Sequence, residues 1–312
     1  MKTFIRVSEI WVPDKSRTSL VFLDGLYGPL TDFRTASEKM SFGFDQGLPG
    51  KAWSARHPII LKGLESSYFL RKEAAKAAGL SCAVAIPIFA GDFLMAVLVF
   101  LCGDDEAHVG AIELWHNNPA ESYDLGLVDG YYGTAESFEW VSRRTKFRPG
   151  TGLPGMVWKS GLPVVMGDLG HSQRFVRHNS AQEMGITKGL GIPCLYQWDR
   201  VYVMTFLSAL NTPIARRFEI WLPNVKGEAL IFNSGHCDKI MDLSGQYGSA
   251  AIPKGEGLLG KVWLSGVPCV TEHLERDTTP ASLSASQAGW HSMIAMPIID
   301  SDKLKAIVAW YF

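Results

Sequence analysis

One phrase recurs three times along this chain, and it constrains the fold more than any other feature. Gly47-Leu48-Pro49-Gly50-Lys51-Ala52-Trp53 returns as Gly152-Leu153-Pro154-Gly155-Met156-Val157-Trp158 and again as Gly257-Leu258-Leu259-Gly260-Lys261-Val262-Trp263. The spacing is about 105 residues each time, and self-similarity at a fixed period marks a repeated architecture. Other phrases keep step with it. Glu9-Ile10-Trp11, Glu113-Leu114-Trp115 and Glu219-Ile220-Trp221 open the copies, and Pro58, Pro163 and Pro268 each lead a β-rich run. Proline is tolerated at the start of a strand, where its missing donor costs little. Helical segments over 69–78 and 174–184 stop at Gly79 and Gly185, with Gly289 matching them in the third copy; glycine is the usual left-handed terminator. Two apolar runs then close each copy, as in 83–89 and 93–101. Strands at both ends with short helices between predict an α+β unit on a central antiparallel sheet, with short helices on one face. The copies divide the 312 residues as 1–105, 106–212 and 213–312.

Composition excludes several classes. With 47 % apolar and 20 % charged residues the chain is globular rather than disordered. A net charge of -1 with no basic block argues against a nucleic-acid partner. No leader-like or bilayer-length apolar stretch is found, so no membrane partner and a cytoplasmic location are expected. Five cysteines form no CxxC pair and no Cys/His cluster at metal-ligand spacing, so no metal is expected.

The order of these phrases resembles the GAF domain family: an aromatic opening strand, a G-L-x-G-x-x-W helix start, a Pro-led strand, a helix ending in Gly and an A-I-P-I strand. That last phrase stands here as Ala85-Ile86-Pro87-Ile88, Gly191-Ile192-Pro193-Cys194 and Ala295-Met296-Pro297-Ile298. Three tandem GAF-like domains are the architecture this implies. The first copy, through Ile10-Trp11-Val12-Pro13 and Leu70-Arg71, is also similar to the GAF-like N-terminal region of plant NIN-like nitrate-response regulators. The resemblance implies a pocket between sheet and helices for a small ligand, without naming that ligand or any cofactor. GAF domains usually carry long terminal helices over the far sheet face. The linkers at 102–109 and 210–217 are too short for them. Uncovered strand faces are unfavourable at about 25 cal/mol per Å², so the copies are expected to pack on one another or on a second subunit.

Two segments, Gly150 to Gly155 and Gly255 to Gly260, fit G-x-G-x-x-G, but a dinucleotide fingerprint needs a preceding buried strand. Turn and helix-start geometry is the favoured reading. Arg71 with Ala75 and Ala78, and Arg177 with Ala181 and Met184, share a helical face. A guanidinium there needs a carboxylate or an anionic ligand, and both readings stay open. Ala281 holds the equivalent place in the third copy. Lys188, Thr187 and Phe175 lie near Arg177 in sequence and make copy two the leading candidate for a small anion, with the third copy mainly structural. Trp158 belongs to the same candidate set, as do Arg71, Ser81 and Trp53 in copy one; the tryptophans either bury against the sheet or line the pocket. No catalytic constellation is found. The expected function is a ligand-binding sensory or regulatory protein acting through a protein partner or as a homo-oligomer. A pocket-less scaffold is the alternative, and a redox enzyme using Cys82 comes third.

Overall fold

The computed structural model describes residues 3–103, 109–197, 200–209 and 212–312. The first stretch holds β1 (Ile5–Pro13), β2 (Ser19–Leu26), α1 (Thr31–Glu38), β3 (Ser41–Gly43), α2 (Gly47–Ala55), β4 (Ile59–Lys62), α3 (Lys72–Ala77), β5 (Cys82–Ala90) and β6 (Phe93–Cys102). The second holds β7 (Val109–Asn118), β8 (Ser122–Gly133), α4 (Glu136–Arg144), α5 (Gly152–Ser160), β9 (Val164–Met166), α6 (His178–Glu183), β10 (Ile186–Gln197) and β11 (Arg200–Ala209). The third holds β12 (Arg217–Pro223), β13 (Ala229–Cys237), α7 (Leu243–Tyr247), β14 (Ala251–Pro253), α8 (Gly257–Ser265), β15 (Cys269–Thr271), α9 (Pro280–Gln287), β16 (Met293–Asp300) and β17 (Lys303–Tyr311).

Three antiparallel sheets result, with orders β3-β2-β1-β6-β5-β4, β8-β7-β11-β10-β9 and β14-β13-β12-β17-β16-β15. The order is the same in each; in the second sheet a single bridge between Leu125 and Phe147 stands where β3 and β14 stand in the others. We call the three sheets with their helices units 1, 2 and 3.

The glycine phrase is a steric device. A Cβ on Gly50, Gly155 or Gly260 would sit 2.1, 2.0 or 2.4 Å from the carbonyl oxygen of Gly43, Arg148 or Pro253, closer than any side chain tolerates. The same close approach lets Gly50, Gly155 and Gly260 accept a backbone hydrogen bond from Asp45, Gly150 and Gly255. The G-x-G-x-x-G match is thereby explained as helix-start geometry.

Strand alternation shows where the second sheet face goes. On β6, Ala96, Leu98 and Phe100 face one core and Val97, Val99 and Leu101 another. The odd positions pack under the helices of their own unit. The even positions join Leu190, Ile192 and Phe206 of unit 2 and Met296, Val308 and Trp310 of unit 3 in one central core. Burial on both faces is why these strands read as nearly unbroken apolar runs. Phe100, Phe206 and Trp310, at matching positions, meet pairwise with ring centroids 5.8 to 5.9 Å apart. At the rim β4 lies beside β8, β9 beside β13, and β15 beside β2. Each unit thus offers one edge to the next, and the third returns to the first, so the chain closes on itself as a ring with pseudo-threefold symmetry. Of the two expected coverings for the open sheet faces, packing between copies is the one observed.

One local expectation differs from the structure. The helices read over 69–78 and 174–184 are shorter, Lys72–Ala77 and His178–Glu183, because Arg71 and Arg177 sit at non-helical cap positions with φ of -98° and -101°. The polar stretch between the second strand of each unit and its glycine phrase forms α1, α4 and α7. Residues 104–108 and 210–211 of the linkers judged too short for terminal helices lie outside the described residues.

Candidate functional site

Each unit buries one carboxylate between its sheet and its helices. Glu9, Glu113 and Glu219 come from the repeated E-x-W phrase and are 0 % exposed. Two residues on, the indole of Trp11, Trp115 or Trp221 donates to that carboxylate at 3.0, 3.1 and 2.9 Å, because i and i+2 share a strand face. In unit 1 the Tyr27 hydroxyl (3.0 Å) and Ser37 Oγ (2.8 Å) also donate to Glu9. In unit 2 the Tyr132 hydroxyl (3.1 Å) and Thr205 Oγ1 (2.7 Å) donate to Glu113.

Arg71 and Arg177 close these two networks. Arg71 forks onto Glu9, with Nη2 to Oε2 at 2.9 Å and Nη1 to Oε1 and to Ser37 Oγ. Arg177 does the same onto Glu113, with Nη2 at 2.9 Å and Nη1 to Oε1 and Ser142 Oγ. Aromatic rings enclose both guanidiniums: Trp11, Phe33, Phe42 and Phe69 around Arg71, and Trp115, Phe138, Phe147 and Phe175 around Arg177, at 4.7 to 6.0 Å. Burial works to raise the Glu9 and Glu113 carboxyls, but the facing arginines outweigh it and hold both below the ordinary value. The two arginines are therefore ion-paired inside the fold, the first of the two readings open from sequence.

Unit 3 keeps the carboxylate and replaces the cation. With Ala281 at the helix corner, Arg217 reaches Glu219 from two residues away on β12, Nε to Oε1 at 2.6 Å. The Tyr247 and Tyr311 hydroxyls donate to Glu219 at 2.5 and 2.8 Å, and Ser284 of α9 accepts from Arg217 at 2.8 Å. Burial acts to lower the Arg217 pKa, but Glu219 reverses this and raises it above the ordinary value.

The remaining candidates do not converge. Phe175 packs on Arg177 in the interior of unit 2. Lys188 lies on β10 in the alternation that places Leu190 and Ile192 in the central core, the opposite sheet face from Arg177. It pairs across the unit boundary with Asp238 of β13's end, beside Arg216 at 3.5 Å and His236 at 3.6 Å. A joint anion site of Arg177 and Lys188 is thus ruled out by strand parity. Thr187 and Ser81 each hold a buried hydroxyl without a hydrogen-bond partner among the described residues. Trp53 is half-buried against the core of unit 1, edge-on to Phe44 at 5.3 Å. Trp158 lines a cavity between units.

Open volume inside a unit occurs in unit 3. A cleft of about 670 Å³ lies between β14, the start of α8 and the segment leading to α9. At this place units 1 and 2 carry buried Phe42 with Phe69, and Phe147 with Phe175; unit 3 carries Ile252 and Thr279. Asp277 spans the cleft's base, accepting from Leu258 N at 3.1 Å, Thr279 Oγ1 at 3.0 Å and Ser282 Oγ at 2.8 Å. Lys261 and Arg276 line it as well, and neither has an ion-pair partner among the described residues. This cleft was not among the expectations from sequence for the third copy. Its signal was present: Ala281 and Thr279 replace the arginine and phenylalanine of the other copies. The buried glutamates, the serines of α1 and α4 and the tyrosines were not anticipated as a set, although the repeated E-x-W phrase carried the glutamates.

Residues 220–312, the bulk of unit 3, match the family model of the GAF domain. No curated protein matches the chain. Among solved structures it is similar to the GAF domain of Aquifex aeolicus nlh2 in an inactive state, at 18 % identity over 33 % of this chain and 60 % of that one (TM-score 0.26). It is also similar to a mutated NreA protein from Staphylococcus aureus, altered in its nitrate binding site, at 18 % identity over 35 % and 78 % (TM-score 0.28). A third is the free methionine-R-sulfoxide reductase of Neisseria meningitidis with its substrate, at 13 % over 31 % and 52 % (TM-score 0.25). The chain thus spans less than two thirds of the first of these. No helix among the described residues is long and apolar enough to cross a membrane.

Proposed function

We propose that this is a cytoplasmic ligand-binding regulatory protein of three tandem GAF-like units, in which units 1 and 2 are scaffold and unit 3 takes the ligand. The observation that carries it is the exchange of Arg71/Phe69/Phe42 and Arg177/Phe175/Phe147 for Ala281/Thr279/Ile252, at the place where the third unit is open. The cleft combines hydroxyls of Thr271, Thr278 and Thr279 with Lys261 and Arg276 and with two acids, Glu256 and Asp277, the second of which is engaged by donors. That mixed lining suits a small polar molecule that pairs an anionic group with hydrogen-bonding groups. Binding changes the packing of the segment before α9, and the signal passes to a protein partner rather than to a reaction in this chain. Cys82 and Cys102, the basis of a redox reading, are cross-strand neighbours sunk in the central core and do not line the cleft.

A thermal-shift screen of the full chain with nitrate, nitrite, formate, short carboxylates and nucleotides tests this. A ligand at a hundred times its dissociation constant stabilises by about 2.7 kcal/mol. Thr279→Phe, which restores the side chain of the other two units, is expected to abolish the shift while preserving the fold. Silence across the screen would favour the pocket-less scaffold, for which the filled interiors of units 1 and 2 already speak.

A further inference from the structure

Departures from the threefold pattern gather at one place outside the cleft of unit 3. A cavity of about 850 Å³ opens where the three units meet, walled by Phe89 of unit 1, Trp158 and Leu162 of unit 2, and Ile298 and Ile299 of unit 3. Three cations line it, one from each unit: Arg56, Lys159 and Lys305. Each is the exception among its equivalents. Arg56 stands where the other units have Gly161 and Gly266, Lys159 where they have Ser54 and Leu264, and Lys305 where they have Met95 and Val201.

Arg56 is the most telling of the three. It caps α2 in the left-handed conformation, φ 59°, as Gly161 and Gly266 do at 65° and 68°. A side chain there carries backbone strain that glycine avoids. Its guanidinium lies 4.2 Å over the Phe89 ring and donates to Gly91 O at 3.2 Å, while Nε has no partner. Lys159 has no ion-pair partner among the described residues; Lys305 pairs with Asp300 at 3.3 Å and Arg56 with Asp92 at 3.2 Å. Three cationic residues and two carboxylates line the cavity, a surplus of one positive charge beside an apolar wall, with the Lys159 side chain resting against Gly150. Its volume is that of a small-molecule site, and junctions between domains are where such sites concentrate.

We propose that this junction binds an amphipathic monoanion, an apolar body with one carboxylate or sulfonate head. The body lies on Trp158, Leu162 and Ile298, and the head pairs with Lys159 and Arg56. Because every unit contributes a wall and a cation, the ligand ties the ring together at its axis, independently of the cleft in unit 3.

Octanoate titrated calorimetrically into the full chain, with octanol as the uncharged control, is the test. Octanoate is expected to bind and octanol to bind at least tenfold more weakly. Lys159→Glu is expected to weaken octanoate at least tenfold, and Leu162→Trp, which fills the cavity, to remove binding; both variants keep the parent melting temperature. Thr279→Phe leaves octanoate binding intact. The proposal is overturned if octanoate does not bind, if octanol binds equally, if neither junction variant has an effect, or if Thr279→Phe removes the binding.

Discussion

Units 1 and 2 deliver the cation to their buried glutamate from the corner before a helix, whereas unit 3 delivers it along the strand that carries the glutamate. The carboxylate, the tryptophan two residues later and a tyrosine donor are common to all three. The consequences for the rest of the unit differ. Arg71 and Arg177 pull the helix corner onto the sheet, and phenylalanines close over them. Once Arg217 satisfies Glu219 from β12, the corner before α9 is released from that duty, and α9 meets the network through Ser284, which accepts from Arg217. A core charge can thus be neutralised by two routes, and the route chosen decides whether a unit is plugged or open.

The largest expected effect comes from cutting either route. Arg177→Ala strands Glu113 in the interior and is expected to cost about 3–5 kcal/mol, read as a fall in the urea midpoint. Arg217→Ala is expected to cost as much, since three neutral donors remain around the carboxylate in both units. A loss under about 1 kcal/mol in one unit alone would break the equivalence. Removing both charges together, Glu113→Leu with Arg177→Met, is expected to be far milder, because no charge is left unpaired.

The next effect is intermediate and tests whether the routes are interchangeable. Ala281→Arg alone inserts a second guanidinium into a filled site, at a cost of about 1–3 kcal/mol. Combined with Arg217→Ala it supplies Glu219 from the helix corner, as in units 1 and 2. The double variant is expected to be more stable than Arg217→Ala. Equal or lower stability would show that the strand-borne arginine of unit 3 has no substitute.

These contrasts also show what was legible in the chain. The repeat, the antiparallel sheet and the glycine turns could be read because backbone sterics and strand alternation act locally, as at Gly50, Gly155 and Gly260. Coverage of the outer sheet faces could be read from the short linkers and the two-sided apolar runs of β5 and β6. The site was harder. Arg71 and Glu9 lie 62 residues apart, and nothing in either neighbourhood names the other. Lys188 was grouped with Arg177 by nearness in sequence, and one strand's alternation separates them. The third unit's cleft was written in Thr279 and Ile252, but as missing bulk, which shows only beside the units that have it.

The smallest expected effect concerns the seam joining the open unit to a filled one. Burial tends to raise the Asp238 carboxyl, yet the Lys188 hydrogen bond and the charges of Lys188 and nearby His236 outweigh it and bring its pKa down to about 2. An unfolded aspartate titrates near about 3.9. The folded value lies below it, so Asp238 contributes stability that is fully present above about pH 4 and disappears as the pH falls through about 2. The Asp238 side chain is 23 % exposed, so solvent screens part of the contribution. Urea midpoints measured between pH 5 and pH 2 are expected to fall less steeply in Lys188→Ala than in the parent, with the two converging at the acid end. Parallel curves would mean that Lys188 does not stabilise the charged form of Asp238.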